Sequence, residues 1–437
     1  MGDKQRETIM SSGNNQTTID ALLKYYYDDG ALVNETYRDN PLWAMVTKRQ
    51  AIANVTGRSF IHPVVYATSQ GRRVNFAQAQ SAGNATGELS VDFTVPRVQN
   101  YQDASVATQT VLSTKDDRGA FTRAVTLITD DCLGNLGLDQ AISMYGDGSG
   151  TRGNISSTTN VSSSQLYLAV ADNALLFEVG MELDLATSET ATVKAYGSAG
   201  HGLYVIAVDR INGILTIGTT LNPATASTCN INDSVNGIPT AADGDFIFVR
   251  GDQGLKMVGL QAWIPYGGVA SNDSFLGVNR SVDPVRLAGN WLDGTQLSIE
   301  DALIQAATNV KKQSSMGVTH FFMGYSKYAQ LLKSQSAKVV IEEQVNPDVS
   351  FEGIELLTST GKVAVIPDRN CPPNYIFGLN LGTWDYIHLG DPVQIFNLDG
   401  NTWLRQPSDD GMEIRFFSFG NLVCRVPAAN IIVKVNP

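Results

Sequence analysis

The chain has 437 residues, 43% of them hydrophobic and 17% charged, with a formal net charge of −12. That is apolar material for two or three cores, and it excludes a disordered protein. The acidic balance, with no basic cluster beyond the pairs Lys48-Arg49, Arg72-Arg73 and Lys311-Lys312, excludes a body built to hold nucleic acid through its phosphates.

Four scattered cysteines, Cys132, Cys229, Cys371 and Cys424, give no CxxC or Cys/His grouping. They are expected to be reduced, mostly buried thiols rather than a disulfide framework or a metal site. The first residues, MGDKQRETIMSSGNNQ, are polar and charged, which predicts no signal peptide. No apolar run is long enough to span a bilayer, so synthesis in the cytoplasm and no membrane partner are expected.

Residues 1–16 are expected to form a flexible tail, and residues 17–29 a short helix capped by Thr18 with Ile19, Leu22, Leu23 and Tyr26 on one side. Leu42, Trp43, Met45 and Val46 then follow Pro41, an apolar patch on a segment too short to own a core. Such a patch packs on the main body or on a neighbouring copy. Leu89, Val91, Phe93 and Val95 alternate with polar residues, and residues 60–66 supply a partner strand. The 22 residues between them, 67–88, are expected to form a loop rich in Gly, Ala, Gln, Asn and Ser. A lone hairpin is marginal in water and so long a loop is uncommon in a compact domain. The pattern predicts a ribbon that rests on another subunit.

Phe121, Val125, Ile128, Cys132 and Leu136 recur at spacings of four, three, four and four, the period of a helix with one buried stripe. The helix is predicted over about 118–146, with a bend or a close helix-to-strand contact at Gly134 and Gly137. At about 1.5 Å per residue it is a rod of roughly 40 Å. Residues 151–165 are expected to be a polar linker. Phe177, Val179, Met181, Leu183 and Leu185 alternate as a half-buried strand, and Asn212-Gly213 is a hairpin signal between two apolar runs. Residues from about 166 to 252 therefore form a small all-β module inserted into the main domain. The remainder is mixed α/β. Its clearest helix starts at Ser298 with Glu300 and Asp301 in the first turn, carries Ile299, Ala302, Leu303, Ala306 and Val310 on one face, and ends at Lys311-Lys312.

No nucleophile, base and orienter set stands out. GDGSG at 146–150 lacks the spacing of a nucleophile elbow, and no phosphate-binding loop is present. The histidines His62, His201, His320 and His388 are far apart. Acidic pairs such as Asp130-Asp131 diverge by about 100° on a helix and suit a solvated face or an inter-subunit contact better than a metal.

The order of arm, long hairpin, long helix, β insertion, α/β domain and returning strands resembles that of the major capsid protein of tailed double-stranded DNA bacteriophages. Local phrasing supports the resemblance: LGNLGLDQAISMYGDGSG at the end of the long helix, and VTHFFMGYSKYAQLLKSQ, a strand delivering a helix. The resemblance implies an α+β capsid fold divided into an N-terminal arm (1–53), an extended β-hairpin loop (54–100), a peripheral domain with the spine helix (101–155, 253–285 and 405–437), a β insertion domain on the outer surface (156–252) and an axial domain (286–404). It implies a structural protein and not an enzyme, without cofactor or metal, that self-assembles as pentamers and hexamers into an icosahedral head enclosing the genome without specific DNA binding. Inter-subunit contacts are then expected from Trp43, Arg72, Arg73, Phe76, Asp116, Asp117, Asp130 and Asp131, with the ribbon-tip arginines paired to one of the two aspartate pairs.

Two departures from the family sharpen this. No lysine occurs between Arg49 and Thr114, which argues against covalent welding through a ribbon lysine. Only a short tail precedes the arm, so a separate scaffolding protein is expected, with a portal and decoration proteins as further partners. The other readings are a β-rich phage accessory, decoration or tail protein, and an uncharacterised hydrolase.

Overall fold

The computed structural model describes residues 39–50, 55–56, 59–68, 71–85, 87–107, 118–156, 164–194, 202–219, 241–335, 354–397, 400–401, 403–406 and 410–436. The helix expected at 17–29, the pair Asp116-Asp117 and Cys229 lie outside them. The chain divides into two compact units, one of Met1–Asp39, Gln99–Asp139 and His388–Phe419, the other of Asn40–Val98, Gln140–Ile387 and Gly420–Pro437.

In the first unit, the strand Val98–Ala107 pairs with the 14-residue strand Gly411–Cys424, which also carries the short strands Gln394–Ile395 and Leu404–Arg405. Against them lies the long helix Arg118–Tyr145, 28 residues, whose residues to Asp139 belong to this unit. The predicted stripe continues through Cys132 and Leu136, which are buried with Ala104, Ile414 and Phe416. Asn100 donates to the Asp139 carboxylate at 2.6 Å and fixes strand against helix. At Gly137 a Cβ meets nothing within 4 Å among the described residues.

The second unit contains three assemblies. A six-stranded sheet runs in the order Asn290–Asp293, Ile431–Lys434, Tyr375–Leu379, His320–Met323, Gly361–Pro367, Ile354–Thr358. The helices Ile299–Gln313 and Tyr325–Gln335 contribute to its core through Ala302, Leu303, Ala306, Val310 and Leu331. Ser298 caps the first of them, accepting the Asp301 N–H at 3.1 Å and donating to the Asp301 carboxylate at 2.7 Å. The strand Ile431–Lys434 pairs on both sides inside this sheet, so the sheet does not respect a boundary at 405.

The second assembly is a closed barrel. Its strands follow the order Thr151–Asn154, Phe246–Val249, Glu182–Ala186, Leu203–Asp209, Ile214–Gly218, Gln165–Tyr167. A bridge between Ile155 and Leu168 joins last to first, with Ser156 N–H on Tyr167 C=O at 2.7 Å and Ala169 N–H on Asn154 C=O at 2.8 Å. Closure removes the exposed edges that an open sheet would carry. The interior holds Leu166, Phe177, Leu183, Leu185, Val205, Leu215, Ile217 and Ile247.

Two expectations are corrected in the barrel. Residues 151–154 are a strand and not linker: their polar side chains hide a role carried by backbone pairing, and Arg152 is buried with its guanidinium on the Leu176 carbonyl at 2.8 Å. The alternating run from Phe177 is strand only at Glu182–Ala186, following a 3-10 helix at Ala171–Leu176. That strand is buried on both faces, because Asp184 is taken inside to accept the Gly251 N–H at 3.2 Å. The hairpin strand stops at Asp209, whose carboxylate accepts the N–H groups of Ile211 and Asn212 at 3.0 and 3.1 Å and leaves Ile211 exposed. Gly213 turns the loop at φ +69°, where a Cβ would lie 2.5 Å from the Ala171 Cα.

The third assembly is the ribbon. Ser59–Ala67 pairs antiparallel with Leu89–Pro96, Phe60 opposite Val95 and Val64 opposite Val91. Its base does not wait for another subunit: Phe60, Val64, Phe93 and Val95 are buried in the chain's own core. The Phe93 ring lies tilted 5.1 Å from Trp263 and edge-on 6.3 Å from Phe275, and Thr94 N–H reaches the Leu276 carbonyl at 2.9 Å. The cover comes from residues 260–279, a stretch with no periodicity to announce it. The expected 67–88 loop is also partly ordered, as a helix at Phe76–Ala85. Leu42 and Val46 are buried in the same core, so the patch behind Pro41 packs on the main body.

Candidate assembly surfaces

The ribbon tip is built without support from a core. Asn75 accepts the Ala77 N–H at 3.0 Å to start the tip helix, and Gly71 lies so close to Gly83 that a Cβ on it would sit 2.7 Å from the Gly83 Cα. Only glycine permits that contact. It folds the tip on itself and turns its side chains outward. Val74 is 109% and Phe76 82% exposed, and Arg72 and Arg73 are exposed beside them, Arg73 donating to the Arg72 carbonyl at 2.8 Å. Large apolar side chains so fully in water, on a tip that also carries two cations, form a surface suited to a protein partner.

The other expected contact residues fall in different surroundings. Trp43 is half-buried within its own chain, edge-on to Tyr386 at 4.9 Å, with the Lys48 ammonium 4.8 Å from its ring centre. Asp130 is exposed and Asp131 half-buried on the long helix. Burial, with Asp131 and Asp103 adding their charge, pushes the Cys132 thiol up to about 11, which keeps it protonated. Arg72 and Arg73 belong to the second unit, and Asp130 and Asp131 to the first.

Sequence reasoning missed two features. Asp385, 4% exposed, is held between the Arg49 and Arg425 guanidinium groups at 2.8 Å each. Here the strand Thr47–Gln50, the strand Trp384–His388 and the end of Gly411–Cys424 meet, beside the ribbon's His62, whose pKa burial lowers. The second is a cavity of about 320 Å³ walled by Pro284, Val285, Ala288 and Trp291, with Lys312 and Gln313 at its polar side. Trp291 is 46% exposed and edge-on to Tyr266 at 5.5 Å. Neither has a sequence signal: Asp385 is reached from positions 49 and 425, and the cavity draws on residues within 268–313 that form no motif.

Glu189, on the barrel, faces Asp147 in the loop that ends the long helix. Burial, followed by the charge of Asp147 and a hydrogen bond between the two carboxyl groups, pushes Glu189 up to about 7. Asp147 also accepts the Ser149 N–H and hydroxyl at 2.9 and 2.5 Å, and Gln253 pins the Glu189 and Ala191 carbonyls at 3.1 and 2.7 Å. Among the described residues no group of three or more His, Cys, Asp or Glu has the geometry to hold a metal ion, and no helix is long and apolar enough to cross a membrane.

No known family model matches the sequence, and no curated protein does. Among solved structures, the chain is similar to the Cyanophage A-1(L) capsid asymmetric unit, at 10% identity over 92% of this chain and 94% of that one, with a TM-score of 0.48. The holo-SrpI encapsulin complex of Synechococcus elongatus PCC 7942 matches at 8% identity over 95% and 94%, with a TM-score of 0.46. Mycobacterium phage Adephagia matches at 8% identity over 98% and 99%, with a TM-score of 0.44.

Proposed function

We propose that this chain is a shell-building major capsid protein of the tailed-phage type, assembling through pentamers and hexamers into an icosahedral head around double-stranded DNA. The observation that carries the reading is the ribbon: a base locked into the chain's own core, and a tip that exposes Val74 and Phe76 almost completely. A monomer gains nothing from such a tip. A lattice uses it as a reach onto the next copy, at an energetic return of about 1.5–3 kcal/mol for each large apolar side chain fully buried. The order of elements agrees with the family that the sequence resembles, and the net charge of −12 suits a wall that must lie beside DNA without adhering to it. In this reading a separate scaffolding protein and a portal take part in assembly, and the closed barrel reinforces the shell from outside.

Replacing residues 68–87 by a short Asn-Gly turn tests the tip's role. The ribbon base keeps its contacts, so the variant is expected to unfold at the same temperature as the parent while yielding no closed particles. Particles in normal number from the shortened chain would overturn this assignment of the tip.

A further inference from the structure

The six-stranded sheet of the second unit is open at the strand Asn290–Asp293. Among the described residues this strand pairs only with Ile431–Lys434, in parallel. The N–H groups of Asn290 and Gly294 reach the carbonyls of Asn430 and Lys434 at 3.1 and 2.9 Å. Alternation along a strand therefore turns the N–H and C=O groups of Trp291 and Asp293 the other way, to the open edge, about 7 Å apart. Neither main chain has a hydrogen-bond partner among the described residues. Both residues are exposed, Trp291 to 46%.

The cavity of about 320 Å³ lies off this same edge. Asn309, Lys312 and Gln313 border it from the helix Ile299–Gln313, against whose core Leu292 packs on one face of the strand. The Trp291 ring borders it from the other face, where it meets Tyr266. A space bordered from both faces of an edge strand is the space the next strand would occupy. We infer that the edge Asn290–Asp293 takes up an extended segment of a separate partner protein as one further strand, with an apolar side chain of that segment in the cavity and an acidic one against Lys312.

Strand addition draws its affinity from main-chain hydrogen bonds and its selectivity from side-chain pockets, and this edge offers both. The volume lies at the lower end of small-molecule pockets, about 300–1,000 Å³, and suits one or two side chains against the apolar wall of Pro284, Val285 and Ala288. Charge sets the sign of the partner. Lys312 is exposed at the rim and makes no hydrogen bond or ion pair among the described residues. The carboxylates nearby are engaged already, Asp283 by Arg286 at 3.6 Å and Asp293 by the Thr295 N–H and hydroxyl at 3.1 and 2.7 Å. A phosphate or a small acid would answer Lys312 alone and leave the alternating donors and acceptors of Trp291 and Asp293 to water. A second copy is the poorer occupant too. The sheet's other edge strand, Ile354–Thr358, exposes Leu357, but its Glu355 is held by Lys362 at 2.9 Å and brings no free carboxylate. The site is complete within one copy, so it does not depend on shell building.

Panning a displayed library of random eight-residue peptides against the full chain tests this. Enriched peptides are expected to combine Asp or Glu with a large apolar residue within two positions of it. Once synthesised, such a peptide is expected to slow hydrogen exchange across 290–294 at least tenfold. Proline at alternate positions of the peptide is expected to abolish binding, because it removes the N–H that pairs with the edge. Lys312→Glu, a change at an exposed position, is expected to weaken the peptide about fivefold and to leave the unfolding temperature of the chain unchanged. A panning that enriches nothing, enrichment without acidic residues, equal binding to Lys312→Glu, or protection that maps away from 290–294 overturns the inference. Protection of 290–294 in the chain alone, rising with its concentration, gives the edge to another copy and overturns the partner assignment.

Discussion

Asn430 is fully buried, and its side-chain amide ties residues 380–384 to Val426. Its oxygen accepts the Asn380 N–H and the Trp384 indole N–H, each at 2.8 Å, and its nitrogen donates to Thr383 Oγ1 at 3.1 Å and the Val426 carbonyl at 2.9 Å. Asn430→Leu keeps the volume and strands two buried donors, so a loss of about 2–4 kcal/mol is expected in urea unfolding. Nothing in the sequence marks this residue, since its partners become neighbours only after folding. Glu189 carries a different kind of consequence. Its folded pKa of about 7 stands above the ordinary 4.5, so the protonated form is the one the fold favours. The stability it contributes is fully present below about 4.5 and is lost as pH rises through about 7. Hydrogen exchange of the 187–191 loop should therefore accelerate across that window, and Glu189→Gln should flatten the profile. An unchanged pH profile in that variant would contradict the role given to this pair.

Elements differ in how far local chemistry specifies them. The helix Ile299–Gln313 was legible to within a residue, because its cap, acidic first turn, buried stripe and basic last turn all lie inside its own sequence. The ribbon's pairing was legible because one strand, Leu89–Pro96, alternates apolar and polar residues; its register, which shifts between Val65 and Ala67, was not. The tip helix was not, since FAQAQSAGNA has no apolar stripe and no core to face. The barrel was legible as β but not as closed, because Thr151–Asn154 closes it through backbone bonds alone. Closure has a testable meaning. With its own interior and no free edge, the segment 150–252 is expected to fold when expressed alone and to melt in one cooperative transition by circular dichroism. A broad, non-cooperative melt would show that the barrel depends on its body. One body contact is Arg369, whose guanidinium reaches the Leu175 carbonyl at 2.7 Å.

At the scale of the whole molecule, the chain invests in features that a solitary protein does not need. A ribbon anchored at its base by Phe60, Phe93 and Val95 holds Phe76 in water at its tip. The sequence carried the order of elements and the presence of a ribbon, which is why the family resemblance was available from residues alone. It did not carry the cavity at Trp291, whose walls come from the helix Pro284–Ala288, the strand Asn290–Asp293 and the end of the helix Ile299–Gln313. The central claim is assembly. Electron microscopy with sedimentation, on the full chain expressed with and without its neighbouring genes, tests it most directly. The account predicts closed shells when the neighbours are present, and rings or aberrant shells when they are not. A well-behaved monomer that never assembles under either condition would contradict it.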